Sequence, residues 1–196
     1  MKTPHILIIR FSAMGDIAMT VPIVYSFAKQ YPDVRISVLS RPFAQPFFQH
    51  LAPNVDFMAA DLKEEYKGFR GLNALYRRLV AKQFTAVADF HNVLRTRFLR
   101  LRFLLDGKSV AHINKHKQGK KLLCREENKV FIQQPTSFQN YADVLEALGY
   151  PIKPEFTSIF PTEGGDLQLL SNIIGVKQPS ERWIGIAPFA AHAGKM

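Results

Sequence analysis

The sequence has a single cysteine, no long apolar run and few acidic residues. Because Cys124 stands alone among 196 residues, a disulfide framework within the chain is excluded and a reducing compartment is expected. No apolar stretch approaches the ~18 residues of a membrane span. Arg10 also interrupts the first apolar run, so we expect no signal peptide. Together these absences favour a cytoplasmic protein.

The shortage of acids leaves a strongly basic chain. Lysine and arginine number 26 against 16 aspartates and glutamates, which gives a formal net charge of +10. Such a charge favours an anionic partner, whether nucleic acid, anionic lipid or a phosphorylated small molecule. A merely soluble basic surface accounts for the charge equally well. The hydrophobic content of 47% predicts a packed globular core.

Apolar strand patterns alternate with helical patterns along the chain. Strands are predicted at residues 5–11, 34–40, 55–60, 84–90 and 109–113. Helices are predicted at 17–31, 42–51, 71–83, 92–105 and 137–148. Such alternation is typical of an α/β protein with a doubly wound parallel sheet, whose ligands bind beyond the carboxyl ends of the strands.

Three of these elements carry more specific expectations. In the first helix, Thr20 is predicted to cap the main segment, with Gly15 and Asp16 in the turn before it. In the fourth, an apolar stripe is predicted to face the core (Leu94, Phe98, Leu101 and Leu105). In the last, a second stripe is predicted and Gly149 ends the helix (Phe138, Tyr141, Leu145 and Leu148).

The C-terminal stretch has the pattern of the start of a second domain. A Gly164-Gly165 linker and a short helix precede a strand pattern, "RWIGIAP", at 182–188. We expect a first domain at 1–178 and the truncated start of a second α/β domain at 179–196. The alternative is that this strand closes the first sheet as an edge.

In the stretch "HILIIRFSAMGDIAMTVP", the only acidic residue, Asp16, follows the end of a strand that is predicted to be buried. Gly15-Asp16 fits neither a P-loop nor a G-x-G-x-x-G fingerprint, so a phosphate-cradling loop is weakly supported. By pattern alone, Asp16 is a helix N-cap or an acid in the first helical turn.

The wider pattern resembles the ADP-heptose:lipopolysaccharide heptosyltransferases of glycosyltransferase family 9. The first marker is a strand, a Ser-x-x-Gly-Asp turn and a Thr-x-Pro helix start, matched by Ser12, Gly15, Asp16, Thr20 and Pro22. The second is matched in "FTAVADFHNVLRTRFL" by Asp89, His91, Asn92, Arg95 and Thr96. The helix "FQNYADVLEALGYP" and the stretch "IGIAPFAAHAGKM", ending near Lys195, resemble two further family segments.

The resemblance implies the N-terminal half of a GT-B fold. Two Rossmann-like domains would face each other, the first binding the acceptor and the second the nucleotide sugar. It further implies inverting transfer of heptose from ADP-heptose to the anionic inner core of lipopolysaccharide, with Asp16 as general base. The loop "FAAHAGK" departs from the pattern, because relatives are often richer in hydroxyls there. The fragment alone is expected to be nearly inactive.

Site residues follow from the resemblance and from the charge pattern. The expected acceptor contacts are Ser12, Met14, Gly15, Arg70, Asp89, His91, Asn92 and Arg95. Ala190, Ala191 and Lys195 are expected at the donor phosphates. For Asp89, capping the next helix or accepting nearby amides is as good an interpretation as a supporting role in catalysis.

Partners and cofactors are predicted on the same basis. We expect a nucleotide-sugar donor, a lipopolysaccharide core or lipid A acceptor, peripheral contact with the anionic inner membrane, and no nucleic acid. The six histidines show no ligand spacing, so no metal and no cofactor is expected, the ADP-sugar being a substrate. Residues 95–125 hold ten Lys/Arg against Asp106 alone, which suits an anionic acceptor. Within them, "NKHKQGKK" is predicted to be a mobile loop.

Two other functions remain open at this stage. One is a transferase of the same family with another donor or acceptor. The other is a non-catalytic, basic Rossmann-like module that binds anions or nucleic acid.

Overall fold

The computed structural model describes residues 3–158, 173 and 175–186. The chain divides into two units, Met1–Ile159 and Phe160–Met196. In the second unit, residues 181–186 form neither helix nor strand, so the strand predicted at 182–188 is wrong over its described part. At its start the Glu181 N–H donates to the Gln178 carbonyl at 3.0 Å, which is the hydrogen bond of a turn and not of a strand pair. The Gly164-Gly165 linker and most of the helix predicted after it lie outside the described residues.

The first unit is an α/β layer structure around a parallel sheet. The strands are β1 (His5–Ile9), β2 (Arg35–Ser40), β3 (Val55–Ala59), β4 (Ala86–Asp89) and β5 (Ser109–His112). The helices are α1 (Met14–Ala18), α2 (Val21–Gln30), α3 (Gly68–Val80), α4 (Leu94–Leu105), α5 (Lys117–Leu123) and α6 (Ser137–Glu146), with a 3₁₀ helix at Pro42–Phe47. The order β3-β2-β1-β4-β5, with all pairs parallel, confirms the predicted Rossmann-like, doubly wound sheet.

The central strand β1 explains why its sequence is a continuous apolar run. Ile6 and Ile8 pack in a core with α1, α2 and α6, whereas Leu7 and Ile9 pack in a second core with α3 and α4. All four are fully buried, since helices cover both faces of the sheet. Each such side chain stabilises the fold by about 1.5–3 kcal/mol, which makes β1 a rigid base for whatever follows it.

The predicted helix at 17–31 is in fact two helices. A short helix, α1, already begins at Met14, and α2 begins at Val21 after a break at Thr20. Pro22 explains the break, because its ring would clash with the carbonyl of Ala18 in one continuous helix. Thr20 is the N-cap residue of α2 as predicted, but its hydroxyl donates to the Ile17 carbonyl at 2.7 Å. Asp16 therefore lies inside α1 and not in a turn before a helix.

The face predicted to be buried on α4 is the exposed one. Leu94, Leu101 and Leu105 are 77%, 55% and 74% exposed, whereas Thr96, Leu99 and Phe103 are buried against the sheet. The prediction was wrong because α4 is apolar on two opposite sides, so periodicity alone does not decide which side packs. Phe98, the fourth member of the predicted stripe, is half-buried.

The helices after β5 are α5 and α6, and α6 packs in the same core as α1 and α2. Residues 114–121 were predicted to be a mobile loop, but from residue 117 onward they belong to the helix α5 (Lys117–Leu123). In α6, Tyr141 and Leu145 are buried as predicted, whereas Phe138 is exposed and Leu148 is half-buried. Gly149 follows the helix with a φ of +89° that favours glycine. None of the described helices is long and apolar enough to cross a membrane.

Candidate active site

The sheet order reverses between β1 and β4, which are neighbours. In a doubly wound sheet, the crevice at such a switch point receives the ligand. Two loops meet there: residues 10–13 lead from β1 into α1, and residues 90–93 lead from β4 into α4. The Phe90 N–H donates to the Ile9 carbonyl at 3.1 Å, so the two loops leave the sheet side by side.

Arg10 ties the two loops together. Its guanidinium donates to the Phe90 carbonyl through Nη1 and to the Ser12 carbonyl through Nε, both at 2.7 Å. Nη2 forms an ion pair with the Asp16 carboxylate at 2.5 Å. The Arg10 side chain is only 10% exposed. Sequence reasoning missed this residue as part of the site, although a lone cation ending an apolar strand was the available signal.

Asp16 is the open carboxylate of this site. As the third residue of α1 it also accepts the Ala13 N–H at 3.2 Å, so the interpretation as a first-turn acid describes its local geometry. Its side chain nevertheless remains 43% exposed. Partial burial works to raise the pKa of Asp16, but the Ala13 N–H and the Arg10 guanidinium outweigh it and hold that pKa below the ordinary value. At neutral pH the crevice thus presents an anchored anion that a ligand can reach.

His91 and Ser12 form a neutral pair beside Asp16. The Phe11 N–H can only donate, so His91 accepts it at Nδ1 (3.4 Å) and carries its proton on Nε2, 3.2 Å from the Ser12 hydroxyl oxygen. Burial, reinforced by the Arg10 and Lys115 charges, lowers the pKa of His91 to about 4. Because the imidazole donates to Ser12, the hydroxyl proton of Ser12 is left to donate elsewhere.

The Asp89 carboxylate is buried, whereas the Asp16 carboxylate is exposed to solvent. Its side chain is fully buried, and Oδ1 accepts the main-chain N–H groups of His91 (2.9 Å) and Asn92 (2.8 Å). Oδ2 pairs with Arg100 at 3.1 Å. Asn92 has a φ of +47°, and its amide donates to the Ile113 carbonyl at 3.1 Å. Asp89 therefore shapes the loop that presents His91 and Asn92.

A basic cleft of about 600 Å³ lies at the adjoining ends of β4 and β5. Its lining carries three cations and no carboxylate (Asn92, Arg97, His112, Ile113, Asn114, Lys115, His116 and Lys117). Burial, together with the Arg10 and Lys117 charges, lowers the pKa of Lys115. Guanidinium and ammonium groups in one recess suit a carboxylate or a phosphate. Of this basic cleft, sequence reasoning found Asn92 and the excess of cations, but not which cations converge.

The other predicted site residues divide into three groups. Met14 is 61% exposed on α1, and next to it an added Cβ at Gly15 would meet no atom within 4 Å. Arg70 and Arg95 are exposed in the first turns of α3 and α4, and neither forms a hydrogen bond or an ion pair with Arg10 or Asp16. Ala190, Ala191 and Lys195 lie outside the described residues.

Among the described residues, no group of three or more histidines, cysteines and carboxylates is placed to hold a metal ion.

Comparison with known proteins gives a match in structure alone. No family model matches the chain, and no curated protein gives a significant match. A glycosyl transferase family 9 protein from Veillonella parvula DSM 2008 is 19% identical, with a TM-score of 0.57 over 81% of this chain and 47% of that one. The E. coli heptosyltransferase WaaC with ADP-2-deoxy-2-fluoro heptose is 16% identical, with a TM-score of 0.55 over 82% and 56%.

This chain has the fold of these transferases. A second WaaC structure, with ADP, is also 16% identical, with a TM-score of 0.53 over 79% of this chain and 50% of that one. The resemblance to family 9 heptosyltransferases predicted from short motifs is thereby confirmed at the level of the fold. The chain spans about half the length of the structures it matches.

Proposed function

We propose that this chain is the acceptor-binding part of an inverting glycosyltransferase that moves a heptose from ADP-heptose to the anionic inner core of lipopolysaccharide. The observation that carries the proposal is the half-open Asp16 carboxylate at the switch point of the sheet. Supporting it, the E. coli heptosyltransferase WaaC, which shares the fold, has been solved with ADP and with an ADP-heptose analogue.

Asp16 acts as the general base in this proposal. The acceptor hydroxyl oxygen bonds to the anomeric carbon, the bond from that carbon to the ADP phosphate breaks, and the hydroxyl proton passes to Asp16. Because the pKa of Asp16 is below its ordinary value, the carboxylate is a weak base and takes the proton late, as the new bond forms. Its attachment to α1 and to Arg10 holds it in place, which general-base catalysis requires.

The neighbouring groups orient the acceptor in this proposal. Ser12, whose oxygen already accepts from His91, donates its own proton to an acceptor oxygen. Asp89 sets the main chain that carries His91 and Asn92. Met14 and Gly15 border the acceptor beside Asp16, and exposed Arg70 and Arg95 contact its outer part.

The basic cleft receives a carboxylate or phosphate of the acceptor. Its three cations and missing carboxylates favour an anionic sugar over a neutral one. The donor side of the proposal rests on Ala190, Ala191 and Lys195, with 179–196 as the start of the donor domain. We propose no metal and no cofactor, and we place the protein on the cytoplasmic side of the inner membrane.

A transfer assay on the complete protein encoded by the reading frame tests this proposal. We expect ADP-heptose and a Kdo-lipid A acceptor to yield a product with an inverted anomeric centre, and residues 1–196 alone to give almost none. Lys115→Gln should raise the acceptor KM about tenfold, since one charge-assisted contact is lost, and exposed Lys129→Gln serves as the control. Transfer from other nucleotide sugars only, or salt-sensitive binding of arbitrary DNA without transfer, would overturn it.

A further inference from the structure

The outward face of α4 carries leucines where a solvent-facing helix normally carries polar groups. At ~100° per residue, Leu94, Leu101 and Leu105 fall within about 40° of one another, directly opposite the buried Thr96, Leu99 and Phe103. We call these three leucines the α4 outer stripe.

Aromatic and basic side chains extend the α4 outer stripe. Phe98 lies beside it and contacts Phe69 of α3, whose ring is 6.0 Å away and whose side chain is 71% exposed. Around the helix, Arg97 flanks the stripe on one side, and Arg95 and Arg102 flank it on the other. The α4 sequence "LRTRFLRLRFLL" contains no acidic residue.

We propose that the α4 outer stripe docks on the headgroup region of an anionic phospholipid bilayer. Leucines that project between arginines match such a surface, because the apolar side chains enter the acyl boundary while the guanidiniums stay at the phosphates. A second copy of this chain fits less well, since it would bring like charges together on both sides of the stripe. Asp106, the acidic residue that directly follows the stripe in the sequence, already accepts the Tyr76 hydroxyl.

The docking proposal rests on the proposed function, and the position of the α4 outer stripe agrees with that function. Leu94 directly follows the loop of His91 and Asn92, so docking along α4 would hold the crevice next to the bilayer. A lipid-linked acceptor would then reach Asp16 from the membrane surface without leaving it.

Vesicle binding by the complete protein, without donor or acceptor, tests the docking proposal. We expect binding to phosphatidylethanolamine–phosphatidylglycerol vesicles, weak binding to phosphatidylcholine vesicles, and release at high salt. The double variant Leu101→Gln/Leu105→Gln should bind the anionic vesicles at least about tenfold more weakly, because two inserting side chains are lost. The matched control Phe131→Gln/Ile132→Gln, at two exposed apolar positions outside the stripe, should bind within twofold of the wild type.

Two outcomes would overturn the docking proposal. One is unchanged vesicle binding by the leucine variant. The other is a lipid-free protein that sediments as a dimer and becomes monomeric in that variant, which would make the stripe an interface between copies. Transfer to a soluble, lipid-free acceptor fragment separates this proposal from the proposed function, since the leucine variant should retain the wild-type rate there.

Discussion

The connections after β1 and after β4 are each held by one arginine–aspartate pair, but the two pairs are arranged in opposite ways. After β1, the arginine is buried and the aspartate open: Arg10 is 10% exposed and Asp16 is 43% exposed. After β4, the aspartate is buried and the arginine more open, at 0% for Asp89 and 18% for Arg100. Both carboxylates sit at the same edge of the sheet, so their place in the sequence does not distinguish them.

The difference lies in how many partners each carboxylate has inside the protein. Asp89 accepts two main-chain amides and an arginine, which uses both of its oxygens. Asp16 accepts one amide and one arginine, and almost half of its side chain faces solvent. A carboxylate whose two oxygens both have partners within the protein stabilises a loop, whereas a carboxylate with an unpaired, exposed oxygen is available to bind a ligand. We therefore expect Asp89 substitutions to affect mainly stability and Asp16 substitutions to affect mainly rate.

The largest expected stability effect comes from Asp89→Asn. The amide oxygen still accepts the two main-chain N–H groups, but Arg100 loses its partner in a mostly buried position, so unfolding should become easier by about 2–4 kcal/mol. Urea unfolding measures this change. Asp56→Asn, in the exposed Arg35–Asp56 pair, is the control and should cost less than about 1 kcal/mol. Equal losses in the two variants would contradict the assigned role of Asp89.

The next effect is the pH dependence of stability due to His91. Its pKa is about 4 in the folded protein against 6.5 ordinarily, so the unfolded chain binds more protons between these values. Stability from this group is thus complete above pH 6.5 and falls as the pH drops toward 4, by up to about 3 kcal/mol.

Urea unfolding between pH 4.5 and 7 checks this dependence. Burial, first among the causes, also lowers the pKa of His5 and of His112, so the wild-type slope includes their contributions. The His91→Asn variant isolates one group, and its stability should fall less steeply with acid. A His91→Asn slope equal to that of the wild type would show that His91 is not held neutral.

The smallest change in stability is expected from Gly15→Ala, which adds a methyl group to the exposed surface next to Asp16. The added methyl group meets no protein atom within 4 Å, and alanine favours a helix by up to about 1 kcal/mol, so stability should stay equal or rise slightly. If the acceptor approaches this surface, its KM should rise several-fold in the transfer assay. An unchanged KM would place the acceptor away from Gly15.

The sequence was sufficient for the fold because its strongest signals are local. An unbroken apolar β1, flanked later by four further strand patterns, can only be buried between two helical layers. The α4 helix shows the limit, since both of its sides are apolar and only the packing with α3 and β4 selects Leu99 and Phe103 for the core. The start of α2 was predictable, because Pro22 points to Thr20 as its N-cap, whereas the short helix α1 before it was expected to be a turn.

The candidate site was predictable only in part. Short motifs indicated Asp16 and the Asp89–Asn92 loop, because a glycine-aspartate turn and a strand-ending aspartate stand out along the chain. Arg10 was missed as a site residue because its three partners, Ser12, Asp16 and Phe90, lie in the loop after β1, in α1 and in the loop after β4, which meet only in the folded sheet. Convergence of Lys115 and Arg97 on one cleft is likewise a property of the folded chain.

The most direct test of the central claim is the single-turnover transfer rate of Asp16→Asn in the complete protein, with both substrates bound. The asparagine keeps the size of the side chain and an oxygen for the Ala13 N–H, but it cannot take the acceptor proton. We predict a rate about 10²–10⁴-fold below the wild type, with acceptor affinity largely retained. A rate within about threefold of the wild type would contradict the account.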